Sequence, residues 1–185
     1  MALAGLGSRV EGIHAVAAAL EAGRVIALHV EAGRARKAPL SDLLAAHPTI
    51  AVRLVDDVRP LAATTAPQGV VAECRSLRLY ELSELVDAEP IAAILAVDHV
   101  EDPHNLGAMV RSAVAAGVRS LVIPDRRSAP LDGAAFKAAA GALEHVRVCM
   151  VGSIPDALTK LGKLGVWSVG LDTDGDRSIF GLDLL

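Results

Sequence analysis

Rings are scarce in this chain. Aromatic residues make up 2% of its 185 positions, and Tyr80, Phe136, Trp167 and Phe180 are the whole set. A surface that holds single-stranded nucleic acid by stacking bases on rings is therefore not expected. Cysteine is as sparse: Cys74 and Cys149 stand far apart with no second cysteine at metal-ligand spacing. Neither a zinc site nor a disulfide framework is expected, and a reducing cytoplasm is the simplest setting. Long apolar runs are missing too. The longest, Ile91 to Val97, is seven residues, far short of a membrane span, and no basic segment followed by an apolar one opens the chain. Neither export nor membrane insertion is expected. Positive charge is not in excess: 18 Lys and Arg face 22 Asp and Glu, a net −4. That balance argues against holding nucleic acid by broad electrostatic attraction alone.

What is present is a core-forming composition. Hydrophobic residues reach 52% and charged ones 22%, the balance of a globular protein whose interior is filled by alanine, valine and leucine. Charge is unevenly spread, with eight Lys and Arg against seven Asp and Glu up to residue 75 and ten against fifteen beyond it. A polyanion-facing surface is therefore expected in the first half, where Arg34, Arg36 and Lys37 form the densest basic group.

Helix and strand signals alternate along the chain. Ile13, Val16, Ala17 and Leu20 fall at helical spacing up to Gly23, and Val25 to Val30 reads as a strand. A helix over 40–46, with Ser41 and Asp42 near its start, a strand over 50–55, a short helix over 57–63 and a strand over 69–74 complete a small α/β unit. Between 75 and 90 apolar residues thin out and Glu81, Glu84, Asp87 and Glu89 accumulate, which reads as a linker with a short helix. The second unit opens with the buried-strand run Ile91 to Val97. A helix from Leu106 to Ala116, a strand over 120–123, a helix from Asp132 to about Glu144, a strand over 146–151, a helix over 155–164 and a fourth strand over 166–171 follow. Apolar strands separated by helices of this length fit a parallel sheet covered on both faces.

In such sheets ligands gather beyond the carboxyl ends of the strands, which directs attention to the segment after Val97. It runs Asp98-His99-Val100-Glu101-Asp102-Pro103-His104-Asn105-Leu106-Gly107-Ala108, then Met109-Val110-Arg111-Ser112-Ala113. Asp102-Pro103 favours a turn, and Asn105 is read as the helix cap. Gly107 leaves the first turn open to close approach, and Arg111 lies within two turns of the helix start. The run Asp172-Thr173-Asp174-Gly175-Asp176 has some character of a calcium loop, but the terminal Glu and helical frame of an EF-hand are missing, so no metal site is assigned.

These residues resemble the first motif of the SpoU/TrmH family of RNA ribose 2′-O-methyltransferases, which matches Asp102 to Ala108 followed by Arg111-Ser112-Ala113. Gly12-Ile13-His14-Ala15-Val16, Gln68-Gly69-Val70-Val71-Ala72 and Gly141-Ala142-Leu143-Glu144-His145-Val146 extend the likeness to nearly the whole chain. The last of them is similar to the branch that methylates a guanosine of large-subunit (23S) rRNA. The resemblance implies an L30e-like RNA substrate-binding domain (1–75), a linker (76–90) and a parallel-sheet SPOUT, or α/β-knot, methyltransferase domain (91–185) that binds S-adenosyl-L-methionine and forms homodimers. It places Asn105 and Arg111 beside the reacting ribose and makes Arg34, Arg36 and Lys37 candidates for RNA contact. Gly170, Leu171 and Asp172, after the last expected strand, become candidates for cofactor contact. The family's Gly-x-Glu-x-x-Gly and Ser-Leu-Asn-Val segments are not found in 1–185, so the expectation is a catalytic domain short of its last third, with an open sheet and weak cofactor binding.

The implied chemistry asks little of the protein beyond alignment, because a sulfonium methyl is already electrophilic. A guanidinium is a poor proton acceptor at neutral pH, so Arg111 is expected to bind phosphate and offset charge rather than act as base. A non-catalytic RNA-binding or dimerisation protein built from the same two domains remains the alternative. A dinucleotide-binding enzyme is disfavoured, since no G-x-G-x-x-G follows Val97.

Overall fold

The computed structural model describes residues 6–87, 93–172, 174, 175 and 178. Residues 88–90 of the expected linker, Ile91 and Ala92 of the apolar run, and Thr173 and Asp176 of the acidic loop lie outside the described residues. Two sheets carry the fold. The first has four strands in the order β1-β4-β2-β3, formed by β1 (Arg9–Glu11), β2 (Val25–Glu31), β3 (Ala51–Val55) and β4 (Val70–Cys74). β2 and β3 run parallel, whereas β4 is antiparallel to both β1 and β2. Helix α1 (Ile13–Glu21) joins β1 to β2, α2 (Leu40–Ala46) joins β2 to β3, and a 3-10 turn (Arg59–Leu61) stands where a short helix is expected.

The second sheet has three parallel strands in the order β5-β6-β7: β5 (Ile94–Ala96), β6 (Ser120–Pro124) and β7 (Arg147–Val151). β6 is buried along its whole length, as an apolar central strand must be. Helix α3 (Leu82–Val86) precedes this sheet, and α4 (Pro103–Ala115), α5 (Gly133–Ala138) and α6 (Ile154–Lys163) follow its successive strands. Part of the stretch read as a linker, Leu79 to Leu85, packs against the second sheet. Leu79 bridges to Val148, the Tyr80 N–H donates to the Val148 carbonyl at 2.9 Å, and Leu85 is fully buried.

Two expectations need correction. The helix over 132–144 is interrupted because Ala140 (φ 50°) and Gly141 (φ 89°) both turn left-handed, and the chain resumes as a 3-10 turn, Ala142–His145. A Cβ at position 141 would meet the Ala18 side chain at 2.5 Å, so the break lets α1 approach closely. Residues 166–171 form no strand: they follow α6 with no sheet partner among the described residues, and Trp167 is 95% exposed, so the buried pairing that an apolar strand requires is missing there.

The sheets share a core. Val10, Val16, Leu28 and Val70 from the first unit and Leu106, Leu121, Phe136 and Leu143 from the second belong to one continuous cluster. Polar groups at this junction are matched. Glu11, 1% exposed, accepts from the Ala63 and Thr64 N–H groups at 2.6 and 3.0 Å and from the Thr64 hydroxyl. Lys137 of α5 donates to Thr64 Oγ1 at 3.1 Å and to the Ala66 carbonyl, tying the 63–66 loop of the first unit to the second. A buried carboxylate satisfied in this way costs little and fixes one docking geometry.

Candidate active site

The loop after β5 is held from three directions. The Val97 N–H donates to the Val122 carbonyl at 2.9 Å, and the Ala129 N–H donates to the Val100 carbonyl at 2.7 Å. His99 adopts φ 56°, a left-handed conformation that a non-glycine residue keeps only when its surroundings impose it. Its Nδ1 lies 2.8 Å from Asp98 Oδ1. The carboxylate of Asp102 then accepts the His104 N–H at 2.8 Å, and Pro103 occupies the first helical position, where no amide donor is needed. Asp102 is thus the cap of α4, and Asn105 sits inside the first turn, contrary to the reading of Asn105 as cap.

That difference frees the Asn105 carboxamide. It faces a cleft of about 580 Å³ lined also by His99, Glu101, Asp102, Ala108 and Met109. The inner face of α4 is set by Gly107. A Cβ there would meet the Ala135 carbonyl oxygen at 2.6 Å, the Ala138 Cβ at 2.6 Å and the Ala139 nitrogen at 2.8 Å. α4 therefore lies nearly backbone-to-backbone on α5, and through α5 on the junction with the first unit.

Arg111 does not line this cleft. It is exposed, has no side-chain partner among the described residues, and is set roughly 120° around the helix axis from Asn105. Arg34 is exposed and paired with Glu31 at 3.1 Å, and Arg36 and Lys37 are exposed on the same loop. Gly170, Leu171 and Asp172 are exposed in the irregular segment after α6, and Asp172 accepts the Asp174 N–H at 3.0 Å in a local turn. Sequence reasoning missed Arg126 and Arg127, an exposed basic pair after β6, in the strand-end loop that bonds to Val100 through Ala129. Two adjacent arginines following a buried strand were the available signal.

Comparison with known proteins falls on the same segments. Residues 92–184 match the model of the SpoU rRNA Methylase family, and residues 9–80 match that described as RNA 2'-O ribose methyltransferase substrate binding. The chain belongs to the SpoU rRNA methylase family. It is 35% identical over 180 residues to the 23S rRNA (guanosine-2'-O-)-methyltransferase RlmB of Ralstonia nicotianae, an alignment covering 93% of this chain and 72% of that protein. To the protein of the same name from Xanthomonas campestris it is 42% identical over 121 residues, 63% of this chain and 49% of the relative. The match thus spans about half the length of that curated relative. Among solved structures, the SpoU methyltransferase AviRb from Streptomyces viridochromogenes, crystallised with AdoMet, superposes with a TM-score of 0.64 at 20% identity, over 85% of this chain and 58% of that one. An RNA 2'-O ribose methyltransferase gives the same TM-score, 0.64, at 24% identity, over 85% and 60%. At such identities the likeness establishes the SpoU fold.

Proposed function

We propose that this SpoU-family chain takes part in transferring a methyl group from S-adenosyl-L-methionine to a ribose 2′-hydroxyl in RNA, the substrate being a guanosine of 23S rRNA. The observation that carries the reading is the Asp102-capped turn, which turns Asn105 into an open cleft at the carboxyl end of a parallel strand. Residues 1–75 serve as the RNA-binding domain, 76–90 as the connection and 91–185 as the methyltransferase domain, working as a homodimer in the cytoplasm. Among the described residues no helix is long and apolar enough to cross a membrane.

The donor chemistry of the cleft fits the cofactor. Carboxylates of Glu101 and Asp102 face a ligand whose reactive centre is cationic, and Val100, Ala108 and Met109 supply apolar wall. Gly170, with open space where a Cβ would stand, and its neighbours Leu171 and Asp172 offer accessible backbone to the same ligand. When bound, the cofactor supplies an electrophilic methyl on sulfur. The chain's own contribution is alignment. Asn105 orients the ribose at the cleft, Arg111 holds the adjacent phosphate and offsets charge developing on the 2′-oxygen, and Arg34, Arg36 and Lys37 take phosphates farther along the strand.

Mapping 2′-O-methylation of 23S rRNA in cells lacking the gene tests this reading. The expected result is loss of one methylated guanosine, restored by the wild-type gene and not by one encoding Asn105→Ala. An unchanged rRNA methylation map overturns it.

A further inference from the structure

Methyl transfer to a ribose releases the 2′-hydroxyl proton, and the motif residues leave that proton without an acceptor. Arg111 stands off the cleft after β5, and a guanidinium keeps its own proton at neutral pH. The Asn105 carboxamide is not basic. Two carboxylates line the cleft, Glu101 and Asp102, and the second is engaged in capping α4. A carboxylate with an ordinary pKa of about 4 is in any case a weak acceptor. His99 lines the same cleft and supplies its imidazole, the side chain that ordinarily titrates nearest neutrality.

Backbone and neighbour both prepare that imidazole. His99 is held at φ 56° between two anchored residues, Val97 on the Val122 carbonyl and Val100 under the Ala129 N–H, and strain of this kind collects at functional sites. Asp98 Oδ1 lies 2.8 Å from His99 Nδ1. Two lone pairs that close would repel, so the ring proton of the neutral imidazole belongs on Nδ1 and Nε2 keeps the accepting lone pair. A carboxylate on one nitrogen orients the ring and supports the charge it gains when the other takes a proton. The two side chains are 58% and 45% exposed, which gives that proton a way out to water. The remaining charges around the ring are Glu101 and Asp102 in the cleft and Asp125, Arg126 and Arg127 on the strand-end loop that bonds to Val100 through Ala129. Helix α4 presents Asn105, Ala108 and Met109 to the cleft, none of them charged, and its His104 and Arg111 do not line it.

We infer that His99 is the general base of the transfer and that Asp98 is the residue positioning it. The inference rests on the function proposed above. As the 2′-oxygen bonds to the methyl carbon, the carbon–sulfur bond breaks with its electron pair remaining on sulfur, and the 2′-hydroxyl proton moves to His99 Nε2 and then to water. The sulfonium becomes a neutral thioether, and no further reactant is required. Asn105 and His99 thus divide the task at one cleft, the first orienting the ribose and the second taking its proton.

The test uses the intact protein and three substitutions. Asparagine tolerates a left-handed backbone and glycine adopts it without strain, so His99→Asn and His99→Gly are expected to fold, the glycine variant at least as stably as wild type. Single-turnover methylation at saturating RNA and cofactor should fall ~100-fold in both while RNA binding is unchanged. The decline of the wild-type rate toward acid pH should be absent from both variants, and added imidazole should restore part of the rate of His99→Gly. A readout independent of activity is the ring tautomer. In ¹⁵N spectra of the ligand-free protein at alkaline pH, where an imidazole is neutral, His99 should carry its proton on Nδ1 and lose that preference in Asp98→Asn, whose transfer rate should fall as well. Wild-type rates in His99→Asn and His99→Gly would overturn the base role and leave the methyltransferase reading standing. A tautomer indifferent to Asp98→Asn would overturn the positioning role. Absence of methyl transfer by wild type would remove the methyltransferase reading and the base role together.

Discussion

Arg24 and Glu144, 120 residues apart, form a two-pronged ion pair across the junction of the two units, Nε to Oε2 at 2.7 Å and Nη2 to Oε1 at 2.5 Å. The side chains are 12% and 1% exposed. Arg24 Nη1 also donates to the Gly7 and Arg75 carbonyls, and the guanidinium lies over the Phe136 ring. Removing one partner leaves the other charged and buried, so Glu144→Gln is expected to cost about 3 kcal/mol. Replacing both, as Arg24→Met with Glu144→Leu, should cost much less than the sum of the single changes. Urea midpoints for the two singles and the double decide it, and strict additivity would remove the pair from the junction's energetics.

The pair illustrates which part of the fold was legible. α1, α2, β2 and β4 follow from local apolar spacing and glycine stops, and the structure places them within a residue or two of the expected bounds. β1 was missed: three residues with a charge at each end carry no periodic signal, and only pairing with β4 makes them a strand. Residues 166–171 misled for the opposite reason, since apolar Val166, Trp167, Val169 and Leu171 mimic a strand that finds no partner among the described residues. At the site, motif position was readable but not the cap. Asp102-Pro103 held the decisive sign, a carboxylate ahead of a proline at the first helical position, and Asn105 drew attention from it. That Arg111 lies off the cleft and Lys137 reaches across units depends on packing between distant segments, which one sequence does not display.

Gly107 gives the sharpest packing test. Exposed helix glycines gain up to about 1 kcal/mol on replacement by alanine. Here the new methyl would lie 2.6 Å from backbone oxygen, which α5 cannot yield cheaply. Overpacking of this kind costs about 1–3 kcal/mol, so Gly107→Ala should lower the thermal midpoint despite its better propensity. A raised midpoint would show that α4 and α5 are more loosely seated.

Asp102 and Asn105 should separate cleanly. Asp102→Ala removes the cap and is expected to cost about 1 kcal/mol of stability. Asn105→Ala, exposed and within the first turn, should stay within about 0.5 kcal/mol while lowering methyl transfer. Paired denaturation and transfer measurements check this. A large stability loss for Asn105→Ala would restore it as the structural cap.

Burial pushes the Cys74 thiol up to about 11 from an ordinary 9.0. The unfolded chain then loses its proton first as pH rises, so the protonated thiol's contribution to stability is intact below pH 9 and is lost between 9 and 11. Cys149 is shifted the same way, mainly by burial. Wild type should therefore lose thermal stability across that window more steeply than Cys74→Ala, and both thiols should resist alkylation until the protein unfolds. Rapid labelling of Cys74 in the native protein at pH 8 would contradict its burial.

Arg111 is the residue on which sequence pattern and geometry differ most. Pattern places it beside the ribose, whereas it stands exposed roughly a third of a turn from Asn105 around the α4 axis. A long side chain spans that arc only when something anionic draws it, so its contact should form with RNA present and not before. Arg111→Ala is then expected to leave cofactor affinity nearly unchanged and to slow single-turnover methylation at saturating RNA by an amount corresponding to about 2–4 kcal/mol. Arg111→Lys should restore little of that rate, because an ammonium keeps the charge but loses the planar fork that meets a phosphate through two parallel hydrogen bonds. On the proposed function, the comparison is made in the intact protein, with cofactor binding measured separately by calorimetry. A single-turnover rate unaffected by Arg111→Ala would make the residue an ordinary solvated position on α4 and leave the proposed ribose contact to Asn105.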